Sequence, residues 1–173
     1  MHYGSIKSAD IANGTGVRVT LFVSGCTHHC KNCFNPETWD FNYGQPFTQE
    51  AETKILNDLN HNYIEGLTLL GGEPMHPLNQ TALLPVVKKV KEKFPNKTIW
   101  CYTGYVYDKD LITGGRAWCE ATDELIKNID VLVDGPFIES LKNLMLKFRG
   151  SSNQRLIDVN QTLENGTITL LNL

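Results

Sequence analysis

No stretch of this chain is apolar enough to cross a bilayer. Its most apolar segments, such as Val19–Val23 and Leu67–Leu70, fall far short of the ~20 residues a membrane helix needs. There is no excess of positive charge either. Sixteen Lys and Arg stand against nineteen Asp and Glu, for a net charge of -3, so the broad basic footprint of a general nucleic-acid binder is missing. No basic, apolar, small-residue leader opens the chain, which excludes a secretory signal from the expectation. Internal repeats, low-complexity tracts and Pro/Gly/Ser linkers are absent as well. The stretch Asn13-Gly14-Thr15-Gly16 lacks the third glycine of a dinucleotide fingerprint, and no P-loop lysine pattern occurs. At 173 residues, the chain suits one domain that buries its core without covalent staples.

Cysteine is scarce but concentrated. Five are present, at 26, 30, 33, 101 and 119. An odd number with three crowded together is a poor disulfide framework. Without an export signal, the expected compartment is the reducing cytoplasm, where clustered thiols point to metal or redox chemistry.

Short β-branched runs alternate with amphipathic stretches. Strands are predicted at Val17–Val23, Gly66–Leu70, Thr98–Tyr102 and Asp130–Asp134, each stopped by glycine or a Thr-Gly pair. Helices are predicted at Thr48–Asn60 and at Asn79–Phe94, where Pro85 sets the start, and around Asp123–Asn128. A short helix over Ile138–Leu146, a polar loop at Arg149–Gln154, and strand-like tails at Leu156–Val159 and Thr167–Leu171 complete the chain. Strands alternating with helices argue for a parallel α/β sheet with right-handed crossovers. A closed eight-fold barrel takes about 250 residues, so a partial barrel or an open sheet is expected.

Four unusual segments each follow one predicted strand: Cys26 to Cys33, Gly71-Gly72-Glu73-Pro74, Thr103-Gly104-Tyr105 and Gly135-Pro136-Phe137. The carboxyl ends of parallel strands open on one edge, and that edge carries the site. The four segments should therefore converge. The run Cys26-Thr27-His28-His29-Cys30-Lys31-Asn32-Cys33 has C-x3-C-x2-C spacing, which lets three thiolates wrap one metal centre. A closed zinc site wants four ligands, and ferredoxin-type runs carry a fourth cysteine. Three thiolates on a four-iron cluster leave one iron open to a substrate. The competing assignment is a zinc site completed by His28, His29 or a distant cysteine. His28 and His29 are otherwise expected as exposed loop residues, Cys101 and Cys119 as packing or inert thiols, and Lys88–Lys93 as the wet face of a helix.

C-x3-C-x2-C after the first strand, with Gly-Gly-Glu-Pro after the second, resembles the radical S-adenosylmethionine superfamily. Within it the chain is similar to the activating proteins of anaerobic (class III) ribonucleoside-triphosphate reductase, through Asn13–Gly16, Thr20–Cys26, Gly44–Thr48, Thr103–Tyr105, Val131–Gly135 and Arg149–Gln154. These span residues 10–155; the tail from Leu156 lies outside them. One departure is Asn32, where many superfamily members carry an aromatic residue before the third cysteine.

The resemblance implies one domain over residues 1–173, folded as an α/β partial (incomplete) parallel β/α barrel. It implies that Cys26, Cys30 and Cys33 hold a [4Fe-4S] cluster whose open iron chelates S-adenosyl-L-methionine. Gly71, Gly72 and Glu73 would hydrogen-bond the methionine amino group, and Asn32, Cys33 and Phe34 would border the nucleoside. Reductive cleavage would give a 5′-deoxyadenosyl radical, which takes a hydrogen atom from a glycine Cα of the reductase large subunit. A flavodoxin-like electron donor and a homodimer belong to the same expectation; nucleic acid and membrane do not. The rival functions are activation of another glycyl-radical enzyme, of the pyruvate formate-lyase type, and a non-catalytic zinc or electron-transfer module. Five cysteines cannot supply further ferredoxin-like clusters, so a minimal activase is implied. Arg149–Gln154 is the candidate partner or cofactor contact outside the cysteine loop.

Overall fold

A computed structural model describes all 173 residues. Seven strands form one sheet: β1 (His2–Asp10), β2 (Val17–Val23), β3 (Gln45–Pro46), β4 (Ile64–Gly71), β5 (Thr98–Tyr102), β6 (Val131–Asp134) and β7 (Arg155–Asp158). Their order is β3-β1-β2-β4-β5-β6-β7. The central four, β2, β4, β5 and β6, are parallel. They are the four strands expected from the β-branched runs. The sheet is mixed rather than all parallel, because β1, β3 and β7 join antiparallel at its flanks.

The helices are α1 (Gln49–Leu59), α2 (Pro77–Lys93), α3 (Tyr107–Asp110), α4 (Thr122–Lys127) and α5 (Val159–Asn165). Helices α1 and α2 are the crossovers from β2 to β4 and from β4 to β5, as parallel neighbours require. One sheet face packs on the helices: Val19, Leu21 and Val23 of β2, Leu67 and Leu69 of β4, Ile99 and Cys101 of β5, and Leu132 of β6 meet Ile55, Leu59, Leu83, Val87 and Leu125. The alternate residues point the other way, as the period of two demands. There Trp100, Val131, Val133 and Leu156 form a smaller cluster with Tyr102 and Phe148 against it. No helix is long and apolar enough to cross a membrane.

Arg18 lies on that second face with no exposed surface. Its guanidinium donates to Thr68 Oγ1, Thr98 Oγ1 and the carbonyls of Leu67, Thr98 and Thr15. Burial pulls its pKa down to about 10. Five hydrogen bonds, with no carboxylate among the acceptors, tie three parallel strands at their amino ends.

Several expectations are corrected. Helix α2 begins at Pro77, eight residues before Pro85, capped by the His76 side chain, which accepts from the Leu78 N–H. Pro85 is tolerated because it and Thr81 are on the wet face, where the carbonyl it strands meets water. Strand β1 has no clear alternation and stays largely half-exposed, so ladder hydrogen bonds rather than burial define it. The helix expected over 138–146 is only a turn at Glu139–Leu141; Leu144 and Met145 beyond it are 87% and 88% exposed, leaving no apolar face to bury. The tail at Thr167–Leu171 contributes one isolated bridge, Ile157 to Leu170, in place of a strand. Lysines 88, 89 and 91 are more than a wet face, for they pair with Glu124, Glu52 and Asp130.

Candidate functional site

Three of the four parallel strands, β2, β4 and β6, run into a glycine that bends the chain. Gly25, Gly71 and Gly135 take positive φ of 98°, 107° and 99°, a region open to glycine at little cost. The chain turns at the same level of the sheet three times, and the four segments after β2, β4, β5 and β6 meet around one cavity of about 830 Å³. Cys26, Cys30, Cys33, Gly71, Gly72, Glu73, Thr103, Gly104, Gly135 and Phe137 all line it. Arg149, Gly150 and Gln154 line it too, which brings the Arg149–Gln154 loop to the site. That loop is held by Gln154, whose Oε1 accepts from the N–H groups of Gly150 and Ser151 while its Nε2 donates to the Gly135 carbonyl.

The cysteine loop is pinned at both ends. Gly25 N–H donates to the Thr38 carbonyl at 2.7 Å and Cys26 N–H to the Trp39 carbonyl at 3.2 Å. Between them the backbone enters the left-handed region at two non-glycine residues, His29 (φ 50°) and Asn32 (φ 58°); strain of this kind persists where surrounding contacts over-determine it. All five cysteines are free thiols. The Cys33 sulfur accepts from the Asn35 N–H at 3.4 Å. The main chain at His28 and at Phe137 favours the thiolates of Cys26 and Cys30. Burial still outweighs this, pushing the Cys26 thiol up to about 11 and the Cys30 thiol upward as well. N–H donors to cysteine sulfur are among the groups that tune an iron–sulfur centre.

The residues fit such a cluster. Cys26, Cys30 and Cys33 line one cavity, and thiolates are the ligands such clusters take, one for each iron held. Cys101 is fully buried in the helix-facing core. The Cys119 sulfur lies 3.5 Å from Gln80 Oε1. Neither lines the cavity.

Around this loop the expected binding residues take different positions. Gly71 and Gly72 are half-buried, and the Gly72 carbonyl takes no hydrogen bond from the rest of the chain. Glu73 is 1% exposed. Phe34 is 78% exposed at the rim, its ring 6.4 Å from Phe137. Asn32 stands outside the cavity lining and donates to Glu139 Oε1.

Histidine 28 corrects the expectation of an exposed loop residue. Its side chain is 10% exposed, with Nε2 2.7 Å from Glu73 Oε2. The contact spans 45 residues, and no local pattern announces it. His29 is exposed, its ring edge-on to Trp39 at 4.5 Å.

The class that fold and site define is an iron–sulfur protein with one cluster. Residues 12–157 match the family described as "4Fe-4S single cluster domain". The chain is 44% identical over 156 residues to the anaerobic ribonucleoside-triphosphate reductase-activating protein of Escherichia coli, covering 89% of this chain and 96% of that protein. The protein of the same name from Haemophilus influenzae is 46% identical over 156 residues, with 89% and 96% covered. That of Enterobacteria phage T4 is 40% identical over 158 residues, with 90% and 93% covered. This chain belongs to the family of anaerobic ribonucleoside-triphosphate reductase-activating proteins.

Proposed function

We propose that this protein is a radical S-adenosylmethionine oxidoreductase that places a glycyl radical on the large subunit of an anaerobic ribonucleoside-triphosphate reductase. The observation that carries the proposal is the meeting of Cys26, Cys30 and Cys33 with the Gly71-Gly72-Glu73 turn around one cavity at the carboxyl edge of four parallel strands.

Cys26, Cys30 and Cys33 hold the [4Fe-4S] cluster and leave one iron without a protein ligand. When bound, the reduced cluster supplies the electron that cleaves S-adenosyl-L-methionine to methionine and the 5′-deoxyadenosyl radical, which abstracts hydrogen from the glycine Cα. The turn at Gly71, Gly72 and Glu73 receives the methionine amino group, for which the unpaired Gly72 carbonyl is a ready acceptor. Cys33 and Phe34, which line the cavity, border the nucleoside, while the Asn32 side chain is turned to Glu139 and leaves only its backbone for that role. The protein's part is to position these groups and keep competing reactions out.

The four parallel strands form the wall of a partial β/α barrel within a single domain over residues 1–173. A barrel left incomplete is open at its side, and a glycine-bearing loop of a folded partner can enter there. A flavodoxin-like protein supplies the electrons, and the cytoplasm is the compartment.

The test is anaerobic. The protein is reconstituted with iron and sulfide, reduced with dithionite, and given S-adenosyl-L-methionine with and without the reductase. A brown protein that releases 5′-deoxyadenosine, and a glycyl-radical signal on the reductase, are the expected results. A colourless protein with tightly bound zinc and no product would overturn the proposal, since zinc has a filled d shell.

A further inference from the structure

The Glu73 carboxylate is saturated by its own chain. Oε1 accepts from Thr103 Oγ1 at 2.7 Å and from the Met75 N–H at 2.9 Å. Oε2 lies 2.8 Å from the Gly104 N–H, which donates to it, and 2.7 Å from His28 Nε2. An ionised carboxylate offers about four acceptor positions, and here four donors converge on two oxygens. Glu73 accepts at that contact, so Nε2 is the protonated nitrogen of His28. The donors come from three places: the cysteine loop after β2, the turn after β4 that carries Glu73 itself, and the turn after β5.

His28 is fitted into this position from two further sides. Its ring lies edge-on to Tyr105 with centroids 4.5 Å apart. A Cβ built on Gly104 would come within 2.8 Å of the ring, so glycine there is what admits the imidazole. In the chain His28 stands two residues after Cys26 and two before Cys30. One residue, flanked in sequence by two of the cysteines, thus fastens their loop to the Gly-Gly-Glu turn through its side chain.

We infer that His28 is a positioning residue, which locks the cysteine loop onto Glu73 so that cluster and S-adenosyl-L-methionine meet in fixed register, with Glu73 acting as the hub of three loops and not as a side-chain ligand of the amino group. This rests on the cysteine loop holding the cluster. It goes further by assigning a residue outside the three cysteines to the alignment of the two bound groups.

The experiment compares wild type, His28→Ala and His28→Gln, the last keeping a side-chain donor. Amide hydrogen exchange on the metal-free proteins is read over residues 24–34 and 101–106. After anaerobic reconstitution, iron and sulfide content and S-adenosyl-L-methionine affinity are read, the affinity from the perturbation of the reduced-cluster EPR signal. His28→Ala is expected to speed exchange in both segments and, at wild-type iron content, to weaken S-adenosyl-L-methionine about tenfold, the lower end of what loss of a supporting hydrogen bond costs at metal sites. His28→Gln restores both. Unchanged exchange together with unchanged affinity in His28→Ala overturns the inference, as does failure of His28→Gln to restore either. If His28→Ala takes up no iron, exchange in the metal-free protein decides alone: faster in both segments upholds the lock, unchanged overturns it. A wild-type protein that takes up no iron overturns the cluster reading and this inference with it. Wild-type uptake with a silent His28→Ala overturns only the inference.

Discussion

Arg155 stands opposite Asp134 in the antiparallel pairing of β7 with β6, its Nε 2.9 Å from Asp134 Oδ1. Asp134 is 1% exposed at the side chain, and it also accepts from the Tyr107 N–H at 2.8 Å. The pair joins the end of the last parallel strand to the residue following Gln154, and so sets where the Arg149–Gln154 loop reaches the cavity. Arg155→Ala strands a buried carboxylate and is expected to cost about 3 kcal/mol. Urea denaturation with an unchanged slope checks it.

Cys26→Ala, Cys30→Ala and Cys33→Ala should each abolish cluster uptake, read as loss of iron and of the brown absorption. Cys101→Ala and Cys119→Ala should keep it, since neither sulfur lines the cavity. A normal cluster in Cys33→Ala would defeat the ligand assignment.

Arg18→Ala removes five donors from a fully buried position and leaves acceptors of β4 and β5 unpaired at the amino end of the sheet. Each such group costs about 1–3 kcal/mol. Part of that returns because the charge itself no longer has to be buried. A net loss of about 3 kcal/mol is expected. Arg18→Lys should recover little, because one ammonium cannot span acceptors on two strands in the planar fork of a guanidinium. Thermal unfolding of both variants checks this.

Acid should destabilise the fold through carboxylates held below their ordinary value of 3.8. Burial pushes Asp10 up, but the Ala12 N–H and the side chains of Asn13 and Thr20 outweigh it and hold it low. Arg155 holds Asp108 low by hydrogen bonding. At Asp110 burial is again outweighed, here by Arg116 and the Val106 N–H. A lowered folded-state pKa gives stability that is complete above the unfolded value and lost as pH falls through the folded one. The melting temperature should therefore hold down to about pH 5 and drop below pH 4. Asp10→Asn should lower it at pH 7 and flatten the drop.

Gly104→Ala should act on His28 at a distance from the cysteines. The new methyl group meets the imidazole, so the ring must leave Glu73. Hydrogen exchange across residues 24–34 should rise while the melting temperature falls only modestly.

Much of the site's location was legible because strand ends are. Runs such as Val17–Val23 and Val131–Val133 mark buried parallel strands, and the residues just beyond them share an edge by topology alone. The roles inside the site were less legible. The carboxylate of Glu73 reads as a free ligand until four donors are seen on it, and three of those come from residues 28, 103 and 104, distant in sequence. Strand β1 carries no signal that hydrophobic patterning can detect, since patterning reports burial and that strand is held by its ladder. The segment 138–146 misled in the opposite sense: its leucines and methionine have helical spacing but nothing to pack on.

The strand order also governs what the sheet offers to other chains. One flank ends in the two-residue β3, containing Pro46. Strand β1 beside it is broken by register shifts between Tyr3 and Ser5 and between Lys7 and Asp10. At the other flank the tail crosses β7, with the Asp158 N–H bonded to Thr169 and the Leu171 N–H to Leu156. A short edge, bulges with a lysine between them and a covering tail are the devices by which sheets resist edge-to-edge growth. The apolar parallel strands at the centre are thereby kept from templating aggregation, and the tail over residues 167–171 acquires a purpose as a guard on the sheet.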